Sequence, residues 1–239
     1  CSEVERYATN LHAKVAVEII EEHDKTRPLF LYVPFNAPHT PLQAPKELIA
    51  KYAHIKDRRR RIYAAMVASM DAAVGRITAA LRKNGFGDEE TLVFFCSDNG
   101  GIRQFGSNGD LRAGKGRLYE GGVRVPAVIS WPGRLSAGKL VHEPLHIVDL
   151  YPTLLRLAGA SLEQELPLDG RDAWPVIADG AKSPHELIVH NVTPWSGAIR
   201  VGDWKFVHNG GLRANAVKGP ERETLELFNI AEDPFEKNN

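Results

Sequence analysis

The stretch Thr91–Gly101 ends an apolar run, Leu92-Val93-Phe94-Phe95-Cys96, on Ser97-Asp98-Asn99-Gly100-Gly101. Asp98 and Asn99 set a carboxylate and an amide oxygen side by side, donors that suit calcium or magnesium better than a soft metal wanting Cys or His. Two ligands make half a cation site. The glycines let the backbone fold tightly around whatever is held there. Asn-Gly is also a favoured hairpin turn, so a plain turn is the competing reading. The sequel weighs against it, because residues 102–111 are polar and glycine-rich rather than an alternating return strand. Long loops of that kind in compact domains are usually functional or linker segments.

Two further side chains could join an anion-binding site. His39 sits just past a second apolar run, Pro28 to Phe35, so polar groups lie beyond the ends of two expected strands. Ligands in open α/β sheets gather there. A lone histidine can equally bond its own loop backbone. The segment Gly109-Asp110-Leu111-Arg112-Ala113-Gly114-Lys115-Gly116 approaches the spacing of a phosphate-binding loop. Gly116 stands where the magnesium-binding hydroxyl belongs, and Tyr119-Glu120-Gly121-Gly122 breaks a following helix. What survives is Lys115 in a glycine-rich loop, either solvated or placing a compact positive charge on an anionic oxygen.

These groups need elements to carry them. Leu11, Val15 and Ile19 recur at helical spacing with Thr9 or Asn10 as cap, and Arg27-Pro28 stops the pattern. Leu29–Val33 is a continuous apolar run of the kind buried parallel strands need. Pro45 opens a short helix, and Asp57 opens a longer one whose Met66, Met70, Ala73, Val74, Ile77 and Leu81 share a face, closed by Gly85 or Gly87. The two methionines read as core filling. Strands are expected over 91–97 and 124–131, then a helix capped by Asp149 and ended by Gly159. This alternation predicts a doubly wound mixed α/β sheet flanked by helices. After Ala181 the texture changes to short runs separated by Gly, Asn and Pro, predicting a small C-terminal antiparallel sheet. We expect an α/β domain at residues 1–180 and a small subdomain at 181–239.

Composition narrows the function. The chain has 239 residues, 43% of them hydrophobic, enough for a substantial core. Thirty basic residues balance thirty acidic ones, which leaves no global field for nucleic acid or an anionic membrane. No apolar run reaches the roughly 20 residues of a membrane helix. Two cysteines, Cys1 and Cys96, make no disulfide framework. The four tryptophans read as packing, and Asn191-Val192-Thr193 is formally a glycosylation acceptor.

Taken together, Asn36-Ala37-Pro38-His39-Thr40-Pro41-Leu42-Gln43, Ser97-Asp98-Asn99-Gly100-Gly101, Leu111-Arg112-Ala113-Gly114-Lys115-Gly116 and Tyr119-Glu120-Gly121-Gly122-Val123-Arg124-Val125-Pro126 resemble, in order and separation, the sulfatases of the alkaline-phosphatase superfamily. Asp149-Leu150-Tyr151-Pro152-Thr153, Leu168-Asp169-Gly170 and Arg200-Val201-Gly202-Asp203-Trp204-Lys205 look like its arylsulfatase B-like members. The resemblance implies hydrolysis of a sulfated small molecule or carbohydrate by a calcium ion, held partly by Asp98 and Asn99, and a formylglycine nucleophile made from Cys or Ser. Carried over by position, Lys115 contacts the sulfate, and His39 binds it and helps protonate the departing oxygen. Neither Cys1 nor Cys96 stands in the family's nucleophile pattern, and the early aspartates are absent. The chain therefore reads as the carboxyl-terminal part of a sulfatase, incomplete at both ends, whose partner is the missing amino-terminal half of the same polypeptide. A periplasmic, secreted or lysosomal location is implied by likeness. Two alternatives stand beside this: a non-catalytic module that keeps the fold, and a phosphate or phosphonate monoester hydrolase.

Overall fold

A computed structural model describes residues 7–210 and 223–239; Cys1 and the side chains of residues 191–193 lie outside the described residues. The chain divides into two compact units, Cys1–Val93 with Gln104–Gly106, and Phe94–Arg103 with Ser107–Asn239.

In the first unit, α1 (Ala8–Glu22) and α3 (Arg58–Lys83) pack together and α2 (Lys46–Lys51) packs on α3. Asp57 opens α3 as expected, its Oδ1 accepting from the Arg60 amide at 2.6 Å. Gly85, at φ +80°, takes the left-handed conformation that ends it. The buried row of α1 is Thr9, Ala13, Ala16 and Ile20. The expected row is turned outward, with Leu11, Val15 and Ile19 exposed. Small residues explain the rotation: Ala13 and Ala16 on α1 and Ala65, Ser69 and Ala73 on α3 are the buried positions, which lets two backbones approach. Tyr7, not Thr9 or Asn10, occupies the cap of α1, with no side-chain capping bond. By length and composition α3 could cross a membrane, a test that core helices of soluble proteins also pass.

The strand expected at Leu29–Val33 is not formed. No backbone pairing of residues 28–35 is found among the described residues, and Phe30 and Tyr32 are 78% and 76% exposed. A strand exists through its neighbours, and apolar propensity alone supplies none.

The second unit holds the rest of the α/β architecture. β1 (Val93–Cys96) pairs with β2 (Ala127–Ser130), and the loop between them contains one helical turn, α4 (Glu120–Val123). Next come a 3-10 turn over Ile147–Asp149, α5 (Leu150–Leu157) and α6 (Trp174–Asp179). The C-terminal antiparallel sheet is present as β3 (Ile188–Thr193), β4 (Ser196–Val201), β5 (Trp204–Asn209) and β6 (Thr224–Asn229), in that spatial order. Alternation sends Ala198, Val207 and Phe228 inward, where they join Leu118, Tyr119 and Ile230 in one apolar core.

Asp149 does not cap α5 with its side chain. It is 1% exposed and ties three segments together. Its Oδ1 accepts from the Arg171 amide at 2.9 Å, its Oδ2 from the His146 amide at 2.8 Å, and His185 Nε2 lies 2.7 and 2.8 Å from the two oxygens. A Cβ at Gly170 would stand 2.1 Å from the Val148 carbonyl, so only glycine lets the 170 segment close on the 148 turn. The Asp-Leu-Tyr-Pro and Leu-Asp-Gly motifs thus meet as a structural knot.

Asp149→Ala would leave buried donors without an acceptor, and we expect it to destabilise the protein by roughly 3 kcal/mol in urea unfolding. His190 gives a pH signature. Burial, then Lys205, pushes its imidazole down from 6.5 to about 4. The unfolded chain therefore binds this proton first as pH falls. The contribution is complete above about pH 6.5 and is lost as pH falls towards about 4. His190→Gln is expected to flatten the Tm-versus-pH curve across that interval, and an unchanged slope would refute the assignment.

Candidate functional site

The loop from Ser97 to Val123 is built by backbones packed closer than side chains allow. A Cβ on Gly100 would stand 1.8 Å from the Gly121 carbonyl oxygen, one on Gly114 2.3 Å from that of Gly101, and one on Gly122 2.0 Å from that of Arg117. Gly100 N donates to Gly122 O at 3.0 Å, which locks the Asp98-Asn99 corner onto the turn at α4. The hairpin reading of Asn99-Gly100 is thereby excluded: the partner of Gly100 lies 22 residues on.

Lys115 is drawn to the same place. Its backbone N donates to Gly101 O at 3.2 Å. Asn108 completes the stitching, its Oδ1 accepting from Gly101 N at 2.7 Å and its Nδ2 donating to the carbonyls of Gly101 and Ala113 at 3.0 Å each. Sequence reasoning did not single out Asn108; an amide in a glycine-rich loop, able to satisfy backbone donors and acceptors at once, is the available signal. Three of the sequence-predicted site residues, Asp98, Asn99 and Lys115, therefore belong to one stitched loop in the second unit.

The corner itself is polar and accessible. Ser97 Oγ donates to Asn99 O at 2.9 Å, and Asn99 Nδ2 donates to Asp98 Oδ1 at 3.2 Å. That orientation leaves Asn99 Oδ1 and Asp98 Oδ2 without a protein partner among the described residues. Two hard oxygens suit a calcium ion in kind and fall short in number, since calcium takes about six to eight. Among the described residues no group of three or more His, Cys, Asp or Glu is placed to hold a metal. Burial and then Asp98 push the Cys96 thiol up, away from the reactive thiolate form.

His39 belongs to the first unit and is exposed, flanked by cis Ala37-Pro38 and Thr40-Pro41 peptides. Its amide donates to Asn36 O at 2.9 Å. Its Nδ1 lies 2.7 Å from the Thr40 carbonyl, which can only accept, so Nδ1 carries a proton and Nε2 is the atom left for chemistry. The backbone-bonding alternative and the catalytic one are thus compatible, because one nitrogen serves each.

The loop is also fastened to the C-terminal sheet. Glu120, 3% exposed, has Oε1 2.8 Å from Nζ of Lys205 on β5. Lys205 is fully buried and also lies 2.9 Å from Glu236 Oε1. Burial pushes the Glu236 carboxyl up, against the pull of Lys205.

The Sulfatase family model matches residues 1–160. The chain is 35% identical to mouse "Arylsulfatase J" across 97% of its own length and 45% of that relative, and 39% identical to mouse "Steryl-sulfatase" across 78% of its length and 30% of that relative. It spans less than half the length of these relatives. A solved structure described as Ps i-CgsB superposes with a TM-score of 0.86 at 38% identity, covering 98% of this chain and 50% of that one. The same protein is also known in complex with k-i-k-neocarrahexaose. The glycine-stitched loop with its acidic corner and lysine thus stands in a chain that belongs to the sulfatase family.

Proposed function

We propose that the full-length protein carrying this chain hydrolyses sulfate esters of the arylsulfatase type. This chain supplies part of the metal and sulfate site and leaves the nucleophile, a formylglycine made from Cys or Ser, to polypeptide outside it. One observation supports the reading: Gly101 and Asn108 hold the backbone of the Lys115 turn in the same loop as the Asp98-Asn99 corner, so that cation ligands and an ammonium for the anionic sulfate group start from one stitched segment. The unpaired, apolar 29–33 segment supports further polypeptide as its neighbour.

In this reading Asp98 and Asn99 would be two of the ligands of a calcium ion, which would supply positive charge against a bound sulfate group. Lys115 adds a compact positive charge on a sulfate oxygen. Cleaving the S–O bond builds negative charge on the departing ester oxygen, and fixed cations facing it lower the barrier. His39, held through Nδ1 by Thr40, keeps Nε2 free to protonate that oxygen as a general acid. The complex of the 38%-identical relative with a neocarrahexaose favours a sulfated carbohydrate as substrate. An exported location follows from the same reading.

In the full-length protein, Lys115→Ala and His39→Ala are each expected to lower kcat for an aryl sulfate about a hundredfold with little change in Tm. Wild-type turnover in either variant removes that residue from the mechanism. Sulfate release by the isolated 239 residues contradicts the assignment of the nucleophile to another segment. A faster reaction with phosphate than with sulfate monoesters points to the phosphatase alternative. A calcium chelator is expected to abolish turnover and added calcium to restore it, and Asp98→Ala should raise the calcium needed for half-activity at least about tenfold. Activity indifferent to chelator removes the metal from the site.

A further inference from the structure

Both shoulders of the Lys115 loop are gripped by the C-terminal part of the chain. Three residues before Lys115, the Arg112 guanidinium lies over the Tyr119 ring at 3.9 Å from its centroid. Its Nη2 donates to Glu226 Oε1 on β6 at 2.9 Å, and its Nη1 to the Glu236 carbonyl at 3.0 Å. The Tyr119 hydroxyl donates to the other oxygen of Glu226. Five residues after Lys115, Glu120 meets the buried Lys205 ammonium, and the Glu120 amide donates to Glu236 Oε2 at 2.6 Å. Leu118 and Tyr119, between the two grips, are buried in the apolar core of the sheet.

Net stability is a weak reason for so many charges there, since a buried ion pair contributes little over well-packed apolar side chains. What such groups supply is direction. A planar guanidinium forked between the Glu226 carboxylate and the Glu236 carbonyl, and an ammonium between two carboxylates, each restrict the arrangement of their neighbours. Gly121 and Gly122, directly after Glu120, form the floor under Gly100. The grip on Glu120 therefore reaches the Asp98-Asn99 corner through two contacts.

We infer that the C-terminal sheet positions the catalytic loop: Arg112 with Glu226, and Glu120 with Lys205 and Glu236, hold the two shoulders so that Lys115 meets the anion at one fixed place. These are positioning residues, and the inference rests on the sulfatase reading of Lys115.

The test uses Glu226→Gln in the full-length protein. This variant keeps the size of a side chain that is 14% exposed and removes its charge. Expected results are faster deuterium uptake by residues 111–122, kcat/KM for an aryl sulfate lowered about tenfold, and inorganic sulfate inhibiting more weakly by a similar factor. In a Lys115→Ala background the same change should alter kcat/KM less than about twofold, because the lysine it positions is gone. Unchanged exchange overturns the inference, as do unchanged kinetics with a loosened loop, or losses that simply multiply in the double variant. If Glu226→Gln fails to fold, Arg112→Lys, which keeps the charge and loses the fork, is read by the same criteria. If the wild type cleaves no sulfate ester, the proposed function fails separately. Calorimetry with inorganic sulfate then decides the positioning: weaker binding in the variant sustains it, and equal or absent binding in both proteins overturns it.

Discussion

The site depends on two stretches of backbone meeting where no side chain fits. Gly100 rests on the Gly121 carbonyl and Gly114 on that of Gly101, at distances that would put a Cβ 1.8 and 2.3 Å from oxygen. Those contacts bring the Asp98-Asn99 corner and the Lys115 turn into one small loop. Close approach leaves amides and carbonyls facing each other at short range, and buried ones need partners. Asn108 answers that need for Gly101 and Ala113. Glycine makes the approach possible and asparagine makes it stable, so chemistry-bearing side chains at either end inherit fixed origins.

Around this loop, buried polar groups sit where segments distant in sequence converge. Asp149 joins the 146, 171 and 185 segments, and Lys205 joins Glu120 to Glu236. Helices and strands satisfy their own backbones; junctions between loops do not, and charged side chains take over there. The placement explains why motifs far from any chemistry, such as Asp149-Leu150-Tyr151-Pro152 and Leu168-Asp169-Gly170, carry as distinctive a pattern as the site itself. They fix the shape of the second unit, in which the loop is embedded.

Local signals were legible in the sequence. Asp57 as a cap, Gly85 as a stop and the small antiparallel sheet after Ala181 follow from patterns within short segments, and the structure has them. Misreadings came where distant partners decide. The exposed Leu11 row looks like a core face until α3 offers alanines and a serine to the opposite side of α1. Leu29–Val33 has strand composition and no strand beside it among the described residues. Asp149 reads as a helix cap because its real partner, His185, lies 36 residues on. The proposed site residues Asp98, Asn99, Lys115 and His39 were visible as residue types in glycine-rich or proline-rich loops, whereas the Arg112–Glu226 contact spans 114 residues and leaves no pattern in a single sequence.

The most direct measurement is a crystal structure of the full-length protein with calcium and inorganic sulfate. The glycine-packed loop predicts one anion with Lys115 Nζ within hydrogen-bonding reach, about 3 Å, and with Asp98 and Asn99 oxygens on the adjoining metal. A sulfate bound elsewhere, with Lys115 turned to solvent and the Asp98-Asn99 corner without metal, would contradict the site.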